Sequence, residues 1–473
     1  PAWAARPHQK EASALMGRAY KAKRVGFLLA DEVGVGKTMS AWDFVLAQPA
    51  LAKVLIVTTA AAVPHWRNTL LHAGHAGKEV LILNYDRLGK VFDVSGKDLS
   101  SRKKGQRKRV ANNGTPEPFD LIIFDEAHKG KNLTSARSVM MRRLTTKAKF
   151  VIWASATAGQ NPLELAYLAP LLAQVSGHRL TELTSDFEAW CKSQDIGVSR
   201  GKFGRWEWRR SREALDKMRG WMFDGKIPAG IRRLPQEIAG WKALERQLVP
   251  VALGPQERLD YGTAWQQFRV SRMDKASSKA SRKGKEIGLV AQLRFRQKSS
   301  WLRIPSTLDM MADHLDNGHR VAISVGFHET LEEFARHLRE AGIEPAIIHG
   351  KMPPTEKEAQ RLRFQKGQTP VVLFTVEEAI SLHQGEHEDV PRVLMIHDLR
   401  WSALQLSQIE GRCHRDGSFA PTQWLFAEGT VEERIAQVLL DRVIAMKTMH
   451  GDDVSDLEAI EAAMEDQLGR LAA

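Results

Sequence analysis

Cysteine is nearly absent from this chain, because Cys191 and Cys413 are the only two among 473 residues. Two cysteines cannot form a disulfide framework or a cysteine-rich zinc site, and such scarcity is typical of proteins in a reducing compartment. Redox chemistry is therefore not an expected function of this sequence.

Long apolar runs are also missing. No stretch approaches the roughly 20 consecutive apolar residues that cross a bilayer. The first ten residues, PAWAARPHQK, lack the basic-then-apolar order of a secretory signal peptide. We therefore expect a soluble, cytoplasmic protein with no membrane partner.

Positive charge is present in excess. The chain has 69 Lys and Arg residues against 56 Asp and Glu, a formal net charge of +13. Clustered basic side chains gain affinity for polyanions by releasing condensed counterions, so nucleic acid is a more strongly expected partner than an anionic membrane. The length, together with a hydrophobic content of 43%, predicts two or more domains.

Two series of short apolar runs alternate with amphipathic stretches. The first contains VGFLLA, KVLIVTT, EVLILNY, FDLIIFDEAH and KFVIWASAT, and the second contains HRVAISV, PAIIHG, PVVLFTV, RVLMIHD and TQWLFAE. Continuous Val, Ile and Leu runs between polar turns are typical of parallel strands covered on both faces. The pattern predicts an α/β fold with two tandem lobes at 1–165 and 301–435, helical protrusions at 166–300 and a C-terminal helical brace at 436–473.

The stretch FLLADEVGVGKTMSAW resembles a phosphate-binding loop, G-x-x-x-x-G-K-[ST], at Gly36, Lys37 and Thr38, but Asp31 replaces the first glycine. A strand before the loop and a helix after it would surround phosphate oxygens with backbone N–H groups and the positive helix end. Lys37 would then act as a point charge and Thr38 as a magnesium ligand. The alternative is a chance match in a turn.

The stretch FDLIIFDEAH ends a predicted buried strand with Asp125 and Glu126. An acidic residue at a strand tip beside a phosphate loop can hold Mg²⁺, and a second can orient or deprotonate the attacking water. The alternative is a surface turn with solvated carboxylates, but the apolar run before it favours the buried strand.

The third candidate element is QIEGRCHRDG, which contains Gln408, Arg412 and Arg415. Arginines carried from another lobe can neutralise charge on a phosphoryl group during its transfer. The alternative is a solvated helix face, which closely spaced Arg and Glu often form.

The order RPHQ, DEVGVGKT, VLIVTTAAAVPHW, LILNYDRL, DEAH, SATAGQNP, IHGKM, LFTVEEAISL and QIEGRCHR resembles the motif series of helicase superfamily two, specifically the SWI/SNF-like double-stranded DNA translocases. DEVGVGKT is similar to the DEMGLGKT of that family, which makes Asp31 a family variant of the loop. The segments RFRQKSSWLRIP and FGRWEWRRSREALDKM, the latter followed by IRRLP, most resemble HARP-like annealing helicases and small phage and bacterial members.

The resemblance implies two RecA-like lobes, ATP and Mg²⁺ as cofactors, and a role for each matching residue. Gln9 would contact adenine, and Lys37, Asp125 and Glu126 would act in catalysis, with Thr38 and Asp125 on the metal. The loop residues that would bind nucleotide are Asp31, Glu32, Gly34, Val35 and Gly36. The residues that would couple the nucleotide to the lobes are His128, Ser155, Thr157 and Gln408. Arg412 and Arg415 would act as arginine fingers.

DNA contacts are expected from three basic tracts at 101–109, 201–212 and 269–285, the first of which ends in Arg107, Lys108 and Arg109. Basic side chains would hold phosphates without reading bases. His349 and Gly350 lie where the family contacts the DNA backbone. Near Thr375, the stretch VEEAISLHQ replaces the glycine-rich AGGxGLNL of the family, so bulkier side chains occupy a site of close backbone approach.

The function predicted from these features is ATP-dependent translocation of a monomer on duplex or branched DNA. Three alternatives stay open at this point. A DEAH-type RNA helicase would share the ATP motifs, and a motor that recycles RNA polymerase has a similar loop, DEVGLGKT. A basic scaffold without ATP hydrolysis would bind DNA only.

Overall fold

The computed structural model describes residues 3–91, 118–131, 135–156, 162–178, 187–200, 206–208, 212–277, 282–375, 380–385, 387–415 and 417–447. These residues form two compact units: the first contains the chain up to Ala239 together with the described residues from Ala445, and the second contains Gly240–Ile444. Each unit is built around one parallel sheet with helices beside it.

The strands and helices follow one another as the alternating apolar and amphipathic stretches predict. The strands are β1 (Gly26–Leu29), β2 (Lys53–Thr58), β3 (Glu79–Asn84), β4 (Phe119–Asp125), β5 (Ala148–Ala154), β6 (Val198–Arg200), β7 (Trp206–Trp208), β8 (Gly230–Ile231), β9 (Arg246–Val251), β10 (Arg320–Ser324), β11 (Ala346–Ile348), β12 (Val371–Phe374), β13 (Arg392–Ile396) and β14 (Thr422–Ala427). The helices are α1 (Pro7–Lys21), α2 (Lys37–Leu46), α3 (Val63–Ala73), α4 (Leu88–Val91), α5 (Ala136–Thr145), α6 (Ala169–Ser176), α7 (Phe187–Ser193), α8 (Arg212–Phe223), α9 (Pro255–Ser277), α10 (Arg282–Leu302), α11 (Ile304–Asp316), α12 (His328–Glu340), α13 (Pro354–Gln365), α14 (Ala403–Glu410) and α15 (Val431–Lys447).

The sheet of the first unit has the strand order β3-β2-β4-β5-β1-β8, and its neighbouring strands all run parallel. Its central strands are buried on both faces, which explains their continuous apolar sequences. One face packs under Phe124, Trp153 and Tyr167. The other packs under Phe27 and Trp42.

The sheet of the second unit has the order β11-β12-β10-β13-β14-β9, again with parallel neighbours. Phe374 and Trp424 contribute to the core on one face, and Phe334 and Met395 to the core on the other. Two parallel sheets, each flanked by helices, confirm the α/β prediction of two tandem lobes.

The predicted helical insert at 166–300 is only partly helical. It contains α6 to α10, but also an antiparallel pair, β6 with β7, and two strands that extend the main sheets. β8 pairs with β1 of the first unit, and β9 pairs with β14 of the second. Both strands depend on partners far away in the chain, so local patterns did not predict them. The insert is therefore shared between the two units.

The C-terminal brace was predicted as helix, and α15 is helical as far as Lys447. The remainder, 448–473, lies outside the described residues. Within the part of the chain that the structure describes, every helix is too short or too polar to span a membrane.

Candidate nucleotide site

A loop with two left-handed glycines connects β1 to α2. Gly34 and Gly36 have φ values of 86° and 90°, a conformation that side chains with a Cβ rarely adopt. Gly36 caps α2, and Lys37 is the first helical residue, with no acidic side chain in the first turn. The loop therefore presents the N–H groups and the positive end of a ten-residue helix, which is a suitable cradle for phosphate.

Lys37 reaches back across this loop. Its Nζ donates to the carbonyl oxygens of Asp31 at 2.9 Å and Glu32 at 3.3 Å, while Thr38 beside it is half-buried. Among the described residues, the ammonium group therefore donates only to neutral main-chain oxygens, and a phosphate oxygen is a stronger acceptor for a cation. The loop residues fit the phosphates of a nucleotide.

The start of α1 packs on the same loop. Gln9 is buried, its Oε1 accepts from the Arg6 amide at 2.8 Å, and its Nε2 lies 3.4 Å from the Gly36 carbonyl oxygen. His8 Nε2 donates to the Val35 carbonyl oxygen at 3.0 Å. The residue predicted to contact adenine therefore lies directly beside the phosphate loop.

Asp125 lies at the carboxyl end of β4, level with the end of β1. Both Asp125 and Leu29 are in register with Ala154 of β5, so roughly 10 Å, two strand spacings, separates them. The Oδ2 atom of Asp125 accepts from Thr58 Oγ1 and Trp66 Nε1, each at 2.8 Å.

The environment of Asp125 also changes its acidity. Burial, followed by the charge of Glu126, raises the pKa of the Asp125 carboxyl to about 6, although the bonds from Trp66 and Thr58 lower it. The Oδ1 atom makes no hydrogen bond among the described residues. It can serve as a ligand, and a bound divalent cation would favour the ionised form.

Glu126 has a left-handed backbone, with φ 55° and ψ 49°. This conformation is costly for a residue other than glycine and is often found at functional sites. His128 Nδ1 lies 3.3 Å from Glu126 Oε2 and 3.0 Å from Ser155 Oγ. The structure therefore brings Glu126, His128 and Ser155 together beside Asp125, whereas Thr157 lies outside the described residues.

Sequence reasoning missed the side chains that hold Asp125. Thr58 ends β2 and Trp66 lies on α3, while the Tyr85 hydroxyl donates to the Asp125 carbonyl oxygen at 2.8 Å. These residues occur in VLIVTTAAAVPHW and LILNYDRL. In both stretches, side chains with polar atoms follow an apolar strand, and this pattern could have identified them as candidate partners of Asp125.

The side chain of Asp31 contacts Arg233, while its main chain contacts Lys37. Its carboxylate is fully buried and binds Arg233, which follows β8, through two hydrogen bonds of 3.1 and 2.5 Å. Only its main-chain oxygen contacts Lys37. The prediction that Asp31 belongs to the nucleotide loop agrees with its position, but its side chain anchors the loop.

In the second unit, Gln408 and Arg412 are buried, so they do not form a solvated helix face. Arg412 donates from Nε to the Gln408 carbonyl oxygen at 2.7 Å and from Nη1 to that of Ile380 at 3.1 Å. Arg415 is half-buried, and within the described ranges its guanidinium makes no hydrogen bond or ion pair. The two predicted fingers therefore have different surroundings.

The unusual segment after Thr375 is held by long side chains where it is described, from Ile380 onward. Arg361 Nη1 and Gln365 Nε2 donate to the Ser381 carbonyl oxygen at 3.2 and 3.1 Å. Together with the bond from Arg412 to Ile380, these contacts anchor the main chain of this segment.

The predicted DNA contacts in the second unit lie at the carboxyl ends of β11 and β12. His349 and Gly350 follow β11, and the Thr375 amide after β12 donates to the Ile348 carbonyl oxygen at 3.0 Å. Partial burial, then the nearby His328, lowers the pKa of His349. Arg107, Lys108 and Arg109 lie outside the described residues.

Comparison with known proteins identifies both halves of the chain. Residues 8–219 match the SNF2-related domain, and residues 304–417 match the helicase conserved C-terminal domain. One relative is the bovine (Bos taurus) SWI/SNF-related matrix-associated actin-dependent regulator of chromatin subfamily A-like protein 1, which is 23% identical over 89% of this chain and 43% of its own length. Another is an ATP-dependent helicase of Bacillus subtilis, YqhH, 22% identical over 96% of this chain and 80% of its own.

A third relative is the human (Homo sapiens) DNA repair and recombination protein RAD54B, 22% identical over 91% of this chain and 53% of its own length. The chain thus spans about half the length of the bovine and human relatives. The SWI2/SNF2 ATPase core of Sulfolobus solfataricus in complex with dsDNA aligns with 95% of this chain and 94% of its own, at 16% identity and a TM-score of 0.37. From the two matched domains, in this order, we conclude that the chain belongs to the SNF2-like family of helicase superfamily two.

Proposed function

We propose that this protein is a DNA-dependent ATPase that moves along duplex or branched DNA. The proposal rests on one observation. The Lys37 loop follows β1 and the pair Asp125 and Glu126 follows β4, so the two lie at the same edge of the sheet, on opposite sides of β5. A phosphate cradle and a pair of carboxylates at one sheet edge are the parts that phosphoryl transfer to water requires.

Each group in this site has a distinct task in the proposed reaction. Lys37 and the N–H groups at the start of α2 bind the phosphates, and Thr38 and Asp125 are the residues that would hold Mg²⁺. A bound metal would supply positive charge that stabilises the phosphates during transfer. Glu126 orients the attacking water and accepts its proton, and His128 and Ser155 connect Glu126 to the strand end beside it.

Two observations support DNA as the polymer along which the protein moves: the net positive charge of the chain and the name of one relative. The excess of Lys and Arg suits a phosphate backbone, and the human relative is named a DNA repair and recombination protein. Contacts to phosphates alone would give little sequence preference. Movement would follow if the nucleotide states differ in their affinity for DNA.

We expect duplex or forked DNA to stimulate ATP hydrolysis more than single-stranded DNA or RNA does. Steady-state ATPase rates with each polymer test this expectation. Stimulation by RNA alone would support an RNA helicase, and stimulation by RNA polymerase alone would support a polymerase-recycling motor. A protein that binds DNA but hydrolyses no ATP with any polymer would be the scaffold.

A triple variant in which Gln replaces Arg107, Lys108 and Arg109 is expected to bind DNA more weakly and to show a weaker salt dependence of binding. Each phosphate contact contributes about 0.9 to the slope of log K against log salt, so three lost contacts would lower the slope by up to about 3. Binding titrations at several salt concentrations give the slope. The control is the double variant Arg336→Gln with Arg339→Gln, because both of these arginine side chains already form ion pairs with Glu. An unchanged slope in the triple variant would contradict the prediction.

A further inference from the structure

Arg233 lies in the segment after β8, 202 residues beyond Asp31 in the chain. Its guanidinium donates from Nε to Asp31 Oδ1 at 3.1 Å and from Nη2 to Oδ2 at 2.5 Å. The Asp31 carboxylate is 0% exposed and the Arg233 side chain is 12% exposed. This is a buried, two-bond ion pair at the position where a phosphate loop usually has its first glycine.

The third guanidinium nitrogen of Arg233 contacts α1. Nη1 donates to the His8 carbonyl oxygen at 2.6 Å and to Glu11 Oε2 at 3.1 Å. The His8 ring, in turn, donates to the Val35 carbonyl oxygen of the loop at 3.0 Å. A single side chain therefore joins the start of α1 to the phosphate loop.

The main chain of the same segment supports the loop from β8. The Ala30 amide donates to the Ile231 carbonyl oxygen at 2.8 Å, and the Glu32 amide donates to that of Arg233 at 3.0 Å. The carbonyl oxygens of Asp31 and Glu32 are the two acceptors of Lys37. Arg233 thus holds, by side chain and main chain, the two residues that position the Lys37 ammonium.

We infer that Arg233 is a positioning residue of the nucleotide site, which acts through Lys37 by fixing the Asp31–Glu32 part of the loop. This inference rests on the proposed ATP site. Loss of Arg233 alone would leave the Asp31 charge buried and unpaired, which is strongly destabilising, whereas replacing both partners with neutral groups is often tolerated. The paired replacement Asp31→Asn with Arg233→Met therefore removes the anchor with the smallest cost in folding.

A double-mutant cycle tests whether Arg233 acts through Lys37. Equilibrium titration with a fluorescent ATP analogue and Mg²⁺ would give Kd for the wild type, the paired replacement, Lys37→Ala and their combination. We expect the paired replacement to raise Kd by about tenfold or more, and the combination to bind no more weakly than Lys37→Ala alone, since interacting sites are not additive. Arg233→Lys, which keeps the charge but not the two-bond geometry, should recover part of the affinity.

The control is Arg320→Met, which removes a partly buried ion pair with Glu388 from the second unit and should leave Kd unchanged. A folded paired variant with wild-type affinity would overturn the inference, as would losses that multiply in the combination. Thermal unfolding confirms that each variant is folded. Nucleotide binding needs neither DNA nor hydrolysis, so an inactive wild type that still binds ATP would contradict the proposed function but not this inference.

Discussion

Replacement of Glu126 by Gln is expected to leave ATP binding within a few-fold of wild type and to lower turnover by about 10² to 10⁴, the usual contribution of a general base. Gln keeps the size and polarity of the side chain but cannot accept the proton of the attacking water. Lys37→Ala should lose both affinity and turnover, because it removes the cation of the phosphate loop. Nucleotide titrations and steady-state ATPase assays with saturating DNA separate the two effects.

Asp86→Asn is a matched control for Glu126→Gln in the same unit. The Asp86 side chain is 73% exposed and pairs with Arg137 at 2.7 Å. An exposed pair of this kind contributes little to stability, and surface changes outside functional sites are usually within about ±0.5 kcal/mol. Wild-type turnover in either Glu126→Gln or Lys37→Ala would contradict the assignment of ATP hydrolysis to this site.

The core of this site could be predicted from sequence because each part is local. The loop between β1 and α2, and the acidic pair after β4, follow continuous apolar runs whose burial defines the strand ends. The carboxyl ends of parallel strands meet at one edge of a sheet, so Lys37, Asp125 and Glu126 were expected to be neighbours. The described structure confirms that they occupy the same edge.

The parts that could not be predicted depend on contacts between distant segments. β8 has two residues, too few to show a period, and no local pattern connects Arg233 with Asp31. β9 contains Pro250, which argues against a strand in a sequence pattern but is acceptable here because β9 lies at the sheet edge. Arg412 shows the same limit, because its spacing in QIEGRCHR does not reveal which acceptors its guanidinium contacts.

The surroundings of Arg412 and Arg415 separate two residues that the motif treats alike. The Arg412 guanidinium bonds to main-chain oxygens of Gln408 and Ile380 inside the second unit. Hydrogen bonds to charged groups contribute about 1.5–3 kcal/mol each, so Arg412→Ala should lower the free energy of unfolding by at least that amount. Arg415 makes no comparable bond within the described residues, and Arg415→Ala should leave stability unchanged.

If Arg415 acts on the transferred phosphoryl group, Arg415→Ala should lower DNA-stimulated turnover by about 10³ or more, as for other arginine fingers, with ATP and DNA binding within a few-fold of wild type. Thermal unfolding, binding titrations and ATPase rates on both variants distinguish catalysis from folding. Arg336→Ala on the exposed face of α12 serves as the control for loss of an arginine. A solvated role for Arg415 predicts wild-type turnover, and that result would contradict the arginine-finger role that the motif resemblance implies for Arg415.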